Sequence, residues 1–114
     1  MLYSSSSGDD RRQHKRFLVN GNASIDAGDA HVIQGELLNV GAGGLLVLTP
    51  ANPAKGTSVH VRFIVKDYPL EISVLGTVAH STEASVGVMF SEEPEGLDEI
   101  LLWLEAGFLA AMLA

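Results

Sequence analysis

The stretch "ELLNVGAGGLLVL", residues 36–48, contains two apolar runs separated by a glycine-rich corner. Asn39 stands at the entrance to this corner, and glycines occupy positions 41, 43 and 44. Glycine tolerates positive φ and lets another backbone or a flat ligand approach closely. The asparagine amide carries donors and an acceptor that can pair with the edge of a nucleobase. A tight hairpin with an Asx-turn accounts for the same residues without a ligand, so the corner alone leaves both interpretations open.

Strand patterns lie on both sides of this corner. Before it, the β-forming residues of "FLVNGNASI", residues 17–25, are interrupted by the pair Asn20–Gly21. In "TSVHVRFIVK", residues 57–66, the valines and Phe63 alternate with other side chains at a period close to two. "SVGVMFS", residues 85–91, repeats this alternation over a shorter length. Gly76 lies inside the longer segment 68–81 and suggests a bulge or a sharp bend there. Six such segments without helices between them predict a small six-stranded antiparallel β-barrel over residues 17–91.

The last segment, residues 95–113, changes from strand to helical periodicity and predicts one C-terminal helix. One apolar stripe of this helix should pack on the barrel, while a second stripe needs another partner. We expect the second stripe to join two copies of the chain in a homodimer. A membrane surface is the competing use, but the helix carries only acidic charges, which anionic lipid would repel. The first stripe consists of Leu97, Ile100, Leu104 and Phe108, and the second of Leu102, Ala106, Leu109 and Leu113.

The composition limits the function classes. The chain has 114 residues, of which 46% are apolar, so it forms one domain with a real core. It has no cysteine, which excludes disulfides and thiolate catalysis and fits a cytoplasmic protein. Residues 1–16 contain no apolar signal-peptide core, and no apolar run is long enough to span a membrane. His14, His31, His60 and His80 lack metal-ligand spacing, and no nucleophile motif occurs, so neither a metal site nor an enzyme is predicted.

The charge distribution is uneven. The net charge of −7 argues against DNA or RNA as a partner. Residues 11–16, "RRQHKR", nevertheless hold four of the seven basic residues. After Arg16 the chain has three basic residues and twelve acidic ones, because only Asp9 and Asp10 of the fourteen acids come earlier. A short cationic segment on an acidic body favours a small, discrete anion as the ligand, although a solvated tail has the same composition.

Two motifs in this order resemble the PilZ domain family. "RRQHKR", residues 11–16, matches the family's RRxxxR motif, and "NVGAGG", residues 39–44, resembles its (D/N)xSxxG motif. The segments 76–80 and 85–90 resemble the family's closing strand pair. The resemblance covers about residues 11–114, with 1–10 as a flexible lead-in. Gly41 departs from the pattern, because the family has a serine at that position.

The resemblance implies a receptor for the bacterial second messenger cyclic di-GMP, with no cofactor besides this ligand and no enzymatic activity. A mobile arm, residues 8–16, would close over the nucleotide, and an unidentified output protein would receive the signal. The alternative is a PilZ-fold interaction module, in pilus assembly or motility, that no longer binds the nucleotide. The ligand-binding residues implied by the resemblance are Arg11, Arg12, Arg16, Asn39, Gly41 and Gly44.

Position 41 carries a separate expectation. If the position faces a phosphate, Gly41→Ser should tighten nucleotide binding, because the serine hydroxyl adds a hydrogen-bond donor worth about 0.5–1.5 kcal/mol.

Overall fold

The computed structural model describes residues 15–28 and 32–113. Within them, six antiparallel strands form a closed barrel in the order β1-β2-β3-β6-β5-β4, with β4 paired back to β1. One helix follows the last strand. The predicted fold class, a six-stranded antiparallel barrel with a C-terminal helix, is therefore confirmed. The elements are β1 (Arg16–Asp26), β2 (Val32–Gly41), β3 (Gly44–Leu48), β4 (Ser58–Val65), β5 (Ile72–Ser81), β6 (Ser85–Phe90) and α1 (Leu97–Leu113).

The apolar alternation in the sequence selects the side chains that fill the barrel. Val59, Val61, Phe63 and Val65 of β4 are all buried, while Arg62 and Ile64 between them face outwards. The same alternation buries two valines of β6. Because successive strand residues point to opposite faces, one apolar set from each strand meets inside the closed sheet.

Two local expectations about glycine are wrong. The Asn20–Gly21 pair does not interrupt the first strand, because β1 is continuous and only shifts its register between Leu18 and Gly21. Gly76 pairs in register, and the irregularity in β5 lies instead between Val78 and His80. A side chain at position 76 would meet the β6 backbone, since its Cβ would lie 2.7 Å from the Met89 carbonyl oxygen. Close strand approach, and not a bulge, therefore accounts for Gly76.

The first strand begins one residue before, and the helix two residues after, the positions given by the sequence patterns. Residues 1–14, which include most of the expected arm, lie outside the described residues. Arg16, expected as the last residue of a mobile arm, is the first residue of β1 and pairs with Gly41. The helix begins at Leu97.

The first turns of α1 pack on the barrel. Leu97 and Ile100 are fully buried, and Leu104 is partly buried against the same core. Phe108 was expected on this stripe but is 49% exposed, and its ring lies beside the Lys15 ammonium group at the start of β1. Among the residues described, no helix combines the length and apolar composition that a membrane crossing needs.

Candidate functional site

The two sequence motifs meet on the outer face of the barrel. Arg16 opens β1, and Asn39 lies near the end of the neighbouring strand β2. The Arg16 guanidinium donates a hydrogen bond from Nη1 to the Asn39 side-chain oxygen Oδ1, at 3.0 Å. Antiparallel pairing of the two strands produces this contact between residues 23 positions apart. Arg11 and Arg12 lie outside the described residues.

Gly41 gives the Arg16 side chain room to reach Asn39. A Cβ at position 41 would lie 2.5 Å from the Lys15 carbonyl oxygen and 3.3 Å from the Arg16 Cγ. The arginine stem therefore crosses β2 over a position that has no side chain. A serine there would push against the backbone of Lys15 and against this stem. The expectation that Gly41→Ser tightens binding requires room for the serine side chain, and this conformation does not provide that room.

Gly44 allows β3 and β6 to approach each other closely. A Cβ at this position would collide with the Val88 carbonyl oxygen of β6, the strand next to β3. Positive φ among the glycines of the described segments occurs at Gly28, Gly56 and Gly96, and not in the 41–44 corner. The corner therefore uses glycine to bring backbones together and not to reach left-handed conformations.

A row of cross-strand neighbours, here called the strip, extends from Asn39 across the outside of the barrel. Asn39 pairs with Leu46 of β3, Leu46 pairs with Gly87 of β6, and Gly87 pairs with His80 of β5. The His80 imidazole covers the place that a side chain at Gly87 would occupy. The strip thus has an aromatic ring at one end, an amide at the other, and the half-buried Leu46 side chain between them. The sequence does not predict this position of the His80 ring, because cross-strand neighbours are not visible in the sequence.

Lys15 attaches the start of β1 to the helix, which the sequence did not indicate. Its ammonium group pairs with both carboxylate oxygens of Glu105, at 3.0 and 3.1 Å. It also lies 5.1 Å from the ring centre of Phe108 and 5.5 Å from that of Phe17. We call this group of four residues the Lys15 clasp. It joins residues 90 positions apart and leaves no periodic signal in the sequence.

The Glu105→Gln substitution tests the clasp. It removes the ion pair but keeps the side-chain shape, so the second half of α1 should exchange its amide protons faster. Global stability should fall by less than about 1 kcal/mol, because both partners of the pair are partly exposed. Hydrogen exchange over residues 104–113 measures the effect. Glu99→Gln, an exposed residue at the start of the same helix, is the matched control. Equal protection in both variants would contradict the clasp.

A cleft separates the start of β1 from the helix. It encloses about 800 Å³ between residues 15–18 on one side and residues 103–108 on the other. Its walls are mainly apolar, and Leu18 is 82% exposed at its edge. Trp103 stacks at a tilt on Tyr68, with ring centres 5.2 Å apart. Arg16 lines this cleft, and its guanidinium bonds to Asn39 at the start of the strip.

Titratable clusters suitable for a metal are not found in residues 15–28 and 32–113. His60 contacts Ser73 through its Nε2 atom at 2.5 Å and lies on β4. The chemistry available at the outer face is therefore hydrogen bonding, charge and stacking from arginine, asparagine and histidine.

Comparison with known proteins places this geometry in a family. The sequence matches the PilZ domain over residues 10–106. The structure is similar to that of the Bacillus subtilis inhibitor of motility MotI/DgrA, with a TM-score of 0.70 and 19% identity. That similarity covers 88% of this chain and 52% of MotI, so the chain spans about half of MotI's length.

A second similar structure is the PilZ domain of YcgR from Escherichia coli, solved with c-di-GMP. Its TM-score is 0.68 at 12% identity, and the match covers 90% of this chain and 97% of that domain. A comparison with curated proteins found no sequence match. The family match spans both motifs that meet at Arg16 and Asn39, and the barrel and helix agree with the two solved structures. This chain therefore belongs to the PilZ domain family.

Proposed function

We propose that this protein is a cytoplasmic receptor for cyclic di-GMP that acts through contacts with another protein and not as an enzyme. The observation that carries the proposal is the hydrogen bond between Arg16 and Asn39. It joins the last arginine of the RRxxxR motif to the first residue of the second motif on one exposed face. A guanidinium and an amide side by side can bind a phosphate oxygen and a guanine edge of the same nucleotide.

The surroundings of this pair support a flat, anionic ligand. The strip from Asn39 through Leu46 to Gly87 ends at the His80 ring, so it offers the outer Leu46 side chain and an imidazole as surfaces for a purine face. Arg11 and Arg12 come shortly before Arg16 in the sequence and would supply further cations for the two phosphates. The rest of the chain is acidic, which favours a small anion held by a local cationic group over a long polyanion.

Signal output would start at the Lys15 clasp. Lys15 precedes Arg16, so a ligand that moves Arg16 also moves the residue that pairs with Glu105. Movement of Lys15 would then reach α1, whose outer face is exposed. The similarity to MotI, an inhibitor of motility, is consistent with an output protein in motility.

One observation favours the alternative, a PilZ-fold interaction module that no longer binds the nucleotide. In this conformation the Lys15 carbonyl oxygen occupies the space next to position 41, where the family has a serine. A nucleotide that uses this position must displace the Lys15 backbone. Displacement has a free-energy cost that lowers affinity.

Calorimetric titration with cyclic di-GMP tests the proposed function. We expect saturable binding, and GMP at the same concentration should bind much more weakly because it presents one phosphate and one base. Absence of binding to the full-length chain would overturn the receptor function and leave the interaction module.

The Gly41→Ser substitution should weaken cyclic di-GMP binding roughly 3- to 10-fold, because the new Cβ crowds Lys15 and the Arg16 stem. The free energy of unfolding should fall by about 1 kcal/mol or less, since the affected residues lie at the edge of the barrel. Calorimetry and thermal denaturation measure the two effects. Gly41→Ala is the matched control, because it adds the same Cβ without a hydroxyl. Tighter binding by the serine variant would show that the Lys15 backbone moves away when the ligand binds.

A further inference from the structure

The second half of α1 presents an apolar face that the barrel does not cover. Leu102, Leu109 and Leu113 are 70%, 51% and 88% exposed, although all three belong to a regular helix. Burial of each leucine would remove apolar surface from water, so a partner for this face is favoured. The face points away from Leu97 and Ile100, which hold the helix to the core.

The spacing of this face is that of a helix pair. Leu102, Ala106, Leu109 and Leu113 follow one another at intervals of four, three and four residues, the spacing of a coiled-coil seam. Residues 106–113 carry no charge. Glu105, the last charged residue before them, is already paired with Lys15. The end of the helix can therefore meet a second helix without burying an ion.

We propose that α1 pairs with α1 of a second copy of this chain, antiparallel, about a two-fold axis between positions 107 and 108. In this arrangement Leu102 faces Leu113 of the copy, and Ala106 faces Leu109 of the copy. Each small residue then meets a large one, whereas a parallel pair would set Ala106 against itself and leave a gap. The proposal goes beyond nucleotide binding and does not depend on it.

The charges select the same orientation. Asp98 and Glu99 lie in the first turn of α1. A parallel pair would bring these carboxylates next to their own copies, where like charges repel. In the antiparallel pair they lie at opposite ends of the interface and project beyond the last turn of the other helix. The purely acidic start of the helix, with no basic residue in its last turn, also disfavours an anionic membrane as the occupant.

The available area predicts a weak dimer. The exposed parts of Leu102, Leu109 and Leu113, with Trp103 and Met112 at the flanks, amount to roughly 600 Å² per protomer. Specific interfaces bury about 800 Å² per partner, so this one lies at the low end of the range. We expect a dissociation constant of the order of 10 µM.

Cysteine cross-linking tests the orientation, because the chain has no native cysteine. We expect a short thiol-reactive cross-linker to join the Leu102→Cys variant to the Leu113→Cys variant when the two are mixed. Leu102→Cys alone should not cross-link to itself. Cross-linking of Leu102→Cys alone, without the mixed product, would overturn the antiparallel arrangement.

Sedimentation without nucleotide tests the interface itself. Leu102→Glu with Leu109→Glu should give a folded monomer at about 100 µM, where the unmodified chain is dimeric, with a dissociation constant raised at least about 100-fold. Leu70→Glu with Leu75→Glu replaces two leucines of similar exposure on the barrel side and should leave the dimer intact. A monomeric unmodified chain at this concentration would overturn the proposal and leave the face to a different partner. Because no ligand is present, this outcome is independent of the proposed function.

Discussion

The Arg16→Ala variant is expected to lose cyclic di-GMP binding by roughly 100-fold or more, with an unchanged melting temperature. Hydrogen bonds to a charged group contribute about 1.5–3 kcal/mol each, and the guanidinium fork can make two of them to one phosphate or guanine edge. The substitution also removes the contact that holds the Asn39 amide in place. The side chain is exposed, so the free energy of unfolding should change by about 0.5 kcal/mol or less.

Calorimetry and thermal denaturation measure these two effects. Arg62→Ala is the matched control, because it also removes an exposed arginine, here from β4, which borders β1 on the side away from β2. Arg62→Ala should bind cyclic di-GMP as tightly as the unmodified chain. The loss of one positive charge would then not by itself explain the weaker binding of Arg16→Ala. Arg16→Lys keeps the charge without the planar fork and should bind with intermediate affinity. Retained affinity in Arg16→Ala would refute a role for this residue in the ligand site.

The Gly44→Ala variant is expected to lower the free energy of unfolding by about 2–3 kcal/mol. The added methyl group would collide with the carbonyl oxygen of Val88, which belongs to the β6 backbone and cannot turn away as a side chain can. Relief of the clash requires β3 and β6 to separate where they pair, next to Leu45 and Val88 in the core. Chemical denaturation at one fixed protein concentration measures the loss.

Gly107→Ala is the control, and it should leave the free energy of unfolding unchanged or raise it. A Cβ at position 107 meets nothing within 4 Å, and the residue lies inside α1. Alanine is the better helix former by about 1 kcal/mol, so this variant should be as stable as the unmodified chain or more stable. If Gly44→Ala were as stable as the unmodified chain, β3 and β6 would have to lie further apart at this position than the structure shows.

Much of the barrel follows from local pattern. The alternation in residues 57–66 predicts which side chains of β4 lie inside, and Val59, Val61 and Phe63 are all buried. The exposed stripe of α1 also follows from helical spacing, since Leu102 and Leu113 lie on the face away from the barrel. Such predictions succeed because burial repeats with the period of the element.

The candidate site is predictable only in part. The two motifs identify Arg16 and Asn39, and strand pairing brings them together at 3.0 Å. The role of Gly41 is not predictable in this way. A side chain at this position would be crowded by the carbonyl oxygen of Lys15, which is 26 positions away in the sequence. The two residues become neighbours only because β1 pairs with β2. The size of the side chain that position 41 can accept therefore depends on the backbone at the start of β1.

The sequence by itself determined the family, the number of strands and the apolar faces, since these depend on residue types at short, regular spacing. The tertiary structure alone decided the attachment of Lys15 to Glu105, the position of Phe108 beside that pair, and the register of β4 against β1. It also decided that the corner glycines serve close backbone approach. The physical reason is that each of these features depends on the distance between segments far apart in the chain, and that distance is fixed only when the barrel closes.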